Sequence, residues 1–171
     1  MEFFGTSGLL MQKKLLKLSY EVALESPDPS TQNGALLVNE IGDIILCDCN
    51  RFPDGVKYKP ERWERPLKYK IIEHAERNVI FKAAKLGIST ENLLMICGWA
   101  ACTDCARSII QSGIKTLITH KQAHDRSPPF WADEIKIAHE MLNEAGIRII
   151  EYDGDLDFGK KVRHSGEEWM P

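Results

Sequence analysis

The feature that most constrains the fold is an alternation of helix-like and strand-like segments over the second half of the chain. Three helix-like segments each end at a glycine, the residue that most often adopts the left-handed conformation after a helix; they span 74–86, 104–112 and 131–145. Three short apolar runs alternate with them, at 93–97, 115–120 and 148–152. This order predicts an α/β fold in which helices cover the faces of a central sheet.

The first half of the chain adds one helix and a hairpin to this pattern. Apolar residues recur at a helical period over 8–25, and the proline-containing segment 26–30 ends that helix. Two apolar runs, 35–39 and 44–49, flank a short turn and are typical of an antiparallel hairpin. We therefore predict a three-layer α/β/α fold with a central mixed sheet of about five strands.

Length and composition favour one globular unit. The 171 residues are 43% hydrophobic and 27% charged, which suits a single domain over 1–171 with a core of about 10–152. We expect the polar tail, 153–171, to be partly disordered. Two polar, aromatic loops, 51–70 and 120–130, are long enough to have a function, and we expect them to cover a site.

Charge and hydropathy exclude some classes of partner. The net charge of −3 disfavours a surface that coats nucleic acid. No apolar run approaches the roughly 20 residues that a membrane span needs, so we expect a soluble, cytoplasmic protein without a membrane partner. The five cysteines are odd in number, which favours metal binding or buried thiols over a disulfide framework.

Two short motifs carry the chemistry, and each lies at the predicted start of a helix. They are His74-Ala75-Glu76 and the pair Cys102 and Cys105, which are separated by two residues. One imidazole and two thiolates are suitable zinc ligands, and three protein ligands leave a fourth position open, as in catalytic zinc sites. Glu76 is placed to move protons without binding the metal. Without the upstream histidine motif, a redox pair or two buried thiols would be an alternative interpretation of the cysteine pair.

The two motifs match the H-x-E and P-C-x-x-C signature of zinc-dependent nucleobase deaminases, except that Ala101 replaces the proline. The chain resembles the cytidine and deoxycytidylate deaminase superfamily over about 10–150, and within it the dCMP deaminases of phage and bacterial type. Flanking matches are Asp28 to Gln32, Gly34-Ala35, Asn50 to Pro53, His74 to Asn78, Cys102 to Ile110, and Ser112 to Ile114. The resemblance implies that His74, Cys102 and Cys105 hold Zn²⁺, while Glu76 carries protons and contacts ring N3 of cytosine.

The resemblance also implies contacts to the substrate. Asn50 would bind the sugar or a flanking part of the substrate, and the N–H of Ala75 would bind the base carbonyl. A carbonyl just before Cys102, which we assign to Ala100, would accept from the exocyclic amine. Asn33 would either touch the substrate or cap a turn. Trp131 would either stack on the base or serve only in packing. Arg65, Lys68, Arg77 and Arg126 are all candidates to bind a substrate phosphate.

The function implied is hydrolysis of a deoxycytidine nucleotide, dCMP to dUMP, with release of ammonia. The family further implies a homo-oligomer, often a hexamer, and regulation by dCTP and dTTP with Mg²⁺. Three alternatives stay open: a deaminase of 5-substituted dCMP, a deaminase of tRNA or another nucleobase, and a non-catalytic zinc module. A fourth ligand, for instance Cys49, would favour the last of these.

Overall fold

The computed structural model describes residues 5–171. The helices of this range are α1 Gly5–Ala23, α2 Lys68–Ile71, α3 Ala75–Leu86, α4 Thr103–Gln111, α5 Lys121–Asp125 and α6 Ala132–Glu144. The strands are β1 Gly34–Val38, β2 Ile44–Cys49, β3 Leu94–Cys97, β4 Thr116–His120, β5 Arg148–Tyr152, β6 Val162–His164 and β7 Glu167–Trp169. Short 3-10 turns, Pro60–Trp63 and Pro129–Trp131, lie in the two long loops.

The central sheet has five strands in the order β2-β1-β3-β4-β5. The strand β1 pairs antiparallel with both β2 and β3, whereas β3, β4 and β5 run parallel to one another. Both the mixed five-stranded sheet and the antiparallel hairpin predicted from the sequence are confirmed.

The sheet separates two apolar clusters, because neighbouring side chains of a strand point to opposite faces. On β1, Leu37 packs with α3, α4 and α6, whereas Leu36 packs with α1 and with residues of the tail. Helices therefore cover both faces of the sheet. This arrangement confirms the predicted three-layer α/β/α fold.

The tail is more ordered than the sequence analysis predicts. Its apolar residues Leu156, Phe158 and Val162 are buried in the cluster that includes α1. Strands β6 and β7 form an antiparallel hairpin, and the ring of Trp169 lies 5.8 Å from that of His120. The expectation of partial disorder is wrong because these scattered apolar side chains cover the face of the sheet beside α1.

The predicted domain boundaries, 1–171, include residues 1–4, which lie outside the described part of the chain. No helix within 5–171 combines the length and the apolar character needed to cross a bilayer.

Candidate metal centre and substrate cleft

Two helix starts bring the predicted metal ligands together. His74 and Cys102 have extended backbone conformations directly before α3 and α4, and Cys105 lies in the first turn of α4. The Nδ1 atom of His74 is 3.6 Å from the Sγ atoms of both Cys102 and Cys105. All three donor atoms lie within 4.8 Å of one another.

The distances fit a zinc ion. Zn–N bonds of about 2.0 Å and Zn–S bonds of about 2.3 Å at tetrahedral angles place the N and S atoms about 3.6 Å apart, as observed for both pairs. Within residues 5–171, no further imidazole, thiol or carboxylate group joins these three donors in the cluster. Cys49 is not among them, so the donor set matches an open catalytic site better than a closed structural one.

The electrostatics of the cluster favour cation binding. A hydrogen bond with Cys105 lowers the pKa of Cys102 to about 3, and His74 contributes in the same direction. Burial and the neighbouring Cys102 raise the pKa of Cys105 well above its usual value. Burial lowers the pKa of His74, but the hydrogen bond and charge of Cys102 outweigh it, so the net shift is upward. Cys102 is therefore favoured as a thiolate without a metal, and a bound cation would also favour deprotonation of Cys105.

Glu76 lies in the first turn of α3 and lines the same cleft. It is only 2% exposed, and its Oε2 atom has no hydrogen-bond partner among the residues described. Burial raises its pKa, partly offset by His74. A buried carboxylate oxygen without a partner is costly and needs an explanation, and a ligand that shares a proton with it would provide one.

The cleft beside the cluster is formed by the loop after α1, the end of β2, the segment 65–76, the loop before α4, the region around Trp131, and the turn of the tail hairpin. Its lining residues are Asp28, Thr31, Asn33, Asn50, Arg65, Lys68, Tyr69, Ile72, His74, Glu76, Trp99, Ala100, Cys102, Trp131, Ile135 and Ser165.

The two predicted asparagines both line this cleft but have different neighbours. The Oδ1 atom of Asn50 accepts from the N–H of Asn33 at 2.8 Å, and its Nδ2 donates to Asp28 and to the carbonyl of Thr31. Asn50 therefore holds the 28–33 loop, and its contact with a sugar stays a prediction. The Nδ2 atom of Asn33 donates to the Sγ of Cys97 at 3.2 Å.

Of the other predicted substrate contacts, two line the cleft and one does not. Ala100 and Trp131 line the cleft, and the Trp131 ring meets the His74 ring edge-on, with centroids 6.5 Å apart. Ala75 is fully buried and does not itself line the cleft. As the first residue of α3, its N–H has no acceptor within the helix.

Three features of the cleft lining were not predicted from the sequence, although Lys68 was named there as a candidate to bind phosphate. Asp28 and Lys68 form a buried ion pair at 2.7 Å. Ser165 comes from the turn of the tail hairpin, and its N–H donates to the hydroxyl of Thr31. Trp99 packs against His164, with ring centroids 4.2 Å apart. The proline-containing segment 26–30 predicted the end of α1, but no local pattern indicated the partners of Asp28.

Comparison with known proteins agrees with this geometry. The model of the cytidine and deoxycytidylate deaminase zinc-binding region matches residues 11–121. A deaminase encoded 3′ of luxG in Aliivibrio fischeri is 30% identical over 80% of this chain and 90% of its own length. Human deoxycytidylate deaminase is 30% identical over 80% of this chain and 76% of its own.

A solved structure supports the fold independently. The dCMP deaminase of cyanophage S-TIM5, crystallised with dCMP and dUMP, superposes with a TM-score of 0.61 at 20% identity and covers 86% of this chain and 98% of its own. Fold, clustered ligands and family match together define a deaminase of the hydrolase class. The chain belongs to the cytidine and deoxycytidylate deaminase family.

Proposed function

We propose that the protein hydrolyses dCMP to dUMP and ammonia, with Zn²⁺ held by His74, Cys102 and Cys105. The observation that carries the proposal is the zinc-compatible spacing of these three donors beside the buried Glu76, whose Oε2 atom has no hydrogen-bond partner among the residues described. The relatives named as deoxycytidylate deaminases support dCMP as the substrate.

A zinc ion at this cluster would supply Lewis-acid chemistry and lower the pKa of a water molecule. Glu76 takes a proton from the attacking water and passes it to ring N3, while the water oxygen bonds to C4 of the cytosine. Glu76 then carries the proton of the new C4 hydroxyl to N4, and the C4–N4 bond breaks as the C4 carbonyl of dUMP forms and ammonia leaves. Its raised pKa suits this exchange, because a general acid–base group works best near the operating pH.

The remaining residues of the cleft orient the nucleotide in this proposal. The N–H of Ala75 binds the base carbonyl, and the carbonyl of Ala100 accepts from the exocyclic amine. Asn50 and Asn33 face the sugar, and Trp131 covers the base.

The test is ammonia release by purified, zinc-loaded protein with cytidine, deoxycytidine, CMP, dCMP, dCTP and 5-substituted dCMP. We expect the highest kcat/KM with dCMP. Turnover only of 5-substituted dCMP would replace the substrate but keep the reaction. No turnover of any of them, with one zinc per chain, would contradict the proposal and favour a nucleic-acid substrate or a non-catalytic zinc protein.

The proposal extends to properties that rest on the sequence analysis alone, some from composition and some from the resemblance. These are one domain over the whole chain, a homo-oligomer such as a hexamer, a cytoplasmic location, and control by dCTP and dTTP with Mg²⁺. Sedimentation with and without dCTP and Mg²⁺ tests the assembly, and repeating the dCMP assay with each effector tests the control.

A further inference from the structure

Four basic residues were candidates for a phosphate contact, and two of them are already neutralised. The Nζ atom of Lys68 is 2.7 Å from a carboxylate oxygen of Asp28, and both side chains are buried. Arg77 donates to Glu73 at 2.6 Å and lies 3.2 Å from Asp104. A cation that already has a close carboxylate partner has less charge to offer to a phosphate.

The third candidate, Arg126, belongs to a neighbouring groove. Its guanidinium lies 4.8 Å from the centre of the Trp169 ring, and it lines a depression with His164 and Glu167. Arg126 does not line the cleft that contains the metal ligands.

Arg65 is different from the other three. It lines the metal-containing cleft, and among residues 5–171 no carboxylate lies within ion-pairing distance of it. Its guanidinium lies 5.7 Å from the Tyr69 ring centre and 5.5 Å from that of Phe130. Aromatic faces attract the cation without occupying its N–H donors, so the donors are available to an anion.

The aromatic contacts also connect Arg65 to the metal cluster. The rings of Tyr69 and Phe130 both contact Trp131, at centroid distances of 5.9 and 5.7 Å, and Trp131 contacts His74 at 6.5 Å. Arg65 is exposed, whereas His74 and Glu76 lie deeper in the cleft. A ligand whose base reaches the cluster would thus extend its other end towards Arg65.

We propose that Arg65 binds the phosphate of the substrate and makes the site selective for a nucleotide over a nucleoside. The inference rests on the proposed function, and it specifies which residue recognises the phosphate of the substrate. The planar guanidinium can donate two parallel hydrogen bonds to phosphate oxygens, which a lysine ammonium cannot do in the same geometry.

The test compares wild-type protein with Arg65→Gln and Arg65→Lys, using dCMP and deoxycytidine as substrates. Loss of one charge-assisted contact predicts a 10- to 100-fold lower kcat/KM for dCMP, as roughly expected for such hydrogen bonds. The ratio of kcat/KM for dCMP to that for deoxycytidine should fall at least about 10-fold, with an intermediate value for the lysine variant. Arg62→Gln is the matched control, because Arg62 lies in the same loop but does not line the cleft.

Calorimetric binding of dUMP and deoxyuridine separates this inference from the proposed function. Arg65→Gln should weaken dUMP binding and largely abolish the preference for dUMP over deoxyuridine. Equal dUMP affinity in wild type and Arg65→Gln would overturn the inference, as would a loss found only in Arg126→Gln. Absence of dCMP turnover by the wild type would overturn the proposed function, and dUMP binding would still decide the role of Arg65.

Discussion

Glu76 is buried by packing at the start of α3, yet one of its carboxylate oxygens has no partner among the residues described. Such an atom is destabilising unless a ligand or an ordered water meets it. The position of Glu76 thus joins two properties that a proton carrier needs: a raised pKa and direct access to the cleft.

Replacing Glu76 with glutamine should abolish most turnover and keep the fold. We expect a loss of about 10²- to 10⁴-fold in kcat, the contribution typical of a general acid–base group. Zinc content and melting temperature should stay near wild type, since Glu76 is not one of the three clustered donors. Glu140→Gln, on the exposed side of α6, is the control. Full activity in Glu76→Gln would remove Glu76 from the mechanism.

Replacing Cys102 with alanine should remove the metal. Two donors bind zinc far less tightly than three, so we expect less than about a tenth of the wild-type zinc content by mass spectrometry. Cys47→Ala is the control, because Cys47 lies on β2 and outside the cluster. An unchanged zinc content in Cys102→Ala would show that the metal binds elsewhere.

Among the elements, the 28–33 loop has partners from several distant parts of the chain. Asp28 accepts hydrogen bonds from Lys68 of α2, from Asn50 after β2, and from the N–H groups of Ser30 and Thr31. The tail adds Arg163, which donates to the carbonyl of Asp28. The carboxylate of Asp28 thus connects its own loop to α2 and to the residue after β2, and its backbone carbonyl adds the tail.

Removing the ammonium partner of Asp28 should be strongly destabilising. Lys68→Met leaves a buried carboxylate uncompensated, and we expect the free energy of unfolding to fall by about 3 kcal/mol. Lys70→Met, on the exposed side of the same short helix, should change it by less than about 0.5 kcal/mol. Denaturant unfolding measures both, and equal stabilities would indicate that Asp28 is compensated by its other donors.

The tail hairpin should make the protein less stable in acid. Burial and the nearby Arg126 lower the pKa of His164 from 6.5 to about 4. The unfolded chain therefore binds a proton near pH 6.5 that the folded chain does not bind until about pH 4, so stability falls as the pH decreases through this interval. At 1.36 kcal/mol per pKa unit the loss is at most about 3 kcal/mol.

Unfolding free energies at pH 7 and pH 4.5 measure this effect in wild type and in His164→Phe. The variant keeps a ring against Trp99 but has no proton to bind. We expect a smaller decrease in the variant, and identical decreases would exclude His164 as the cause. His120 and His139 also have pKa values lowered by burial, and both are unchanged in this comparison.

Over the whole molecule, the sequence predicts those features that depend on residues close together along the chain. The motifs at 74–76 and 102–105 are local, and the alternation of helices and strands brings them to two adjacent helix starts. The ion pair between Asp28 and Lys68 joins residues 40 positions apart, and Ser165 reaches the cleft from the tail. Such pairings join parts of the chain that are distant in sequence and depend on how loops and the tail pack together, which no local pattern specifies.

Metal removal should destabilise the whole fold, since the ligands join α3 to α4. A ligand bound at 100 to 1,000 times its Kd stabilises by about 3–4 kcal/mol, so chelation should lower the melting temperature by about 10 °C. The same treatment should not affect Cys102→Ala. A wild-type melting temperature that is unchanged after verified zinc removal would mean that the two helix starts hold together without the ion.

The turn of the tail hairpin, Ser165, lies outside the residues matched by the family model and yet forms part of the cleft wall. The zinc-ligand motifs and this part of the wall are thus encoded in different stretches of the gene. Mutations confined to the codons of this hairpin could alter which substrate the enzyme prefers while every proposed zinc ligand is preserved. Divergence of substrate preference among relatives is therefore expected to follow changes in this hairpin more closely than changes in the ligand motifs.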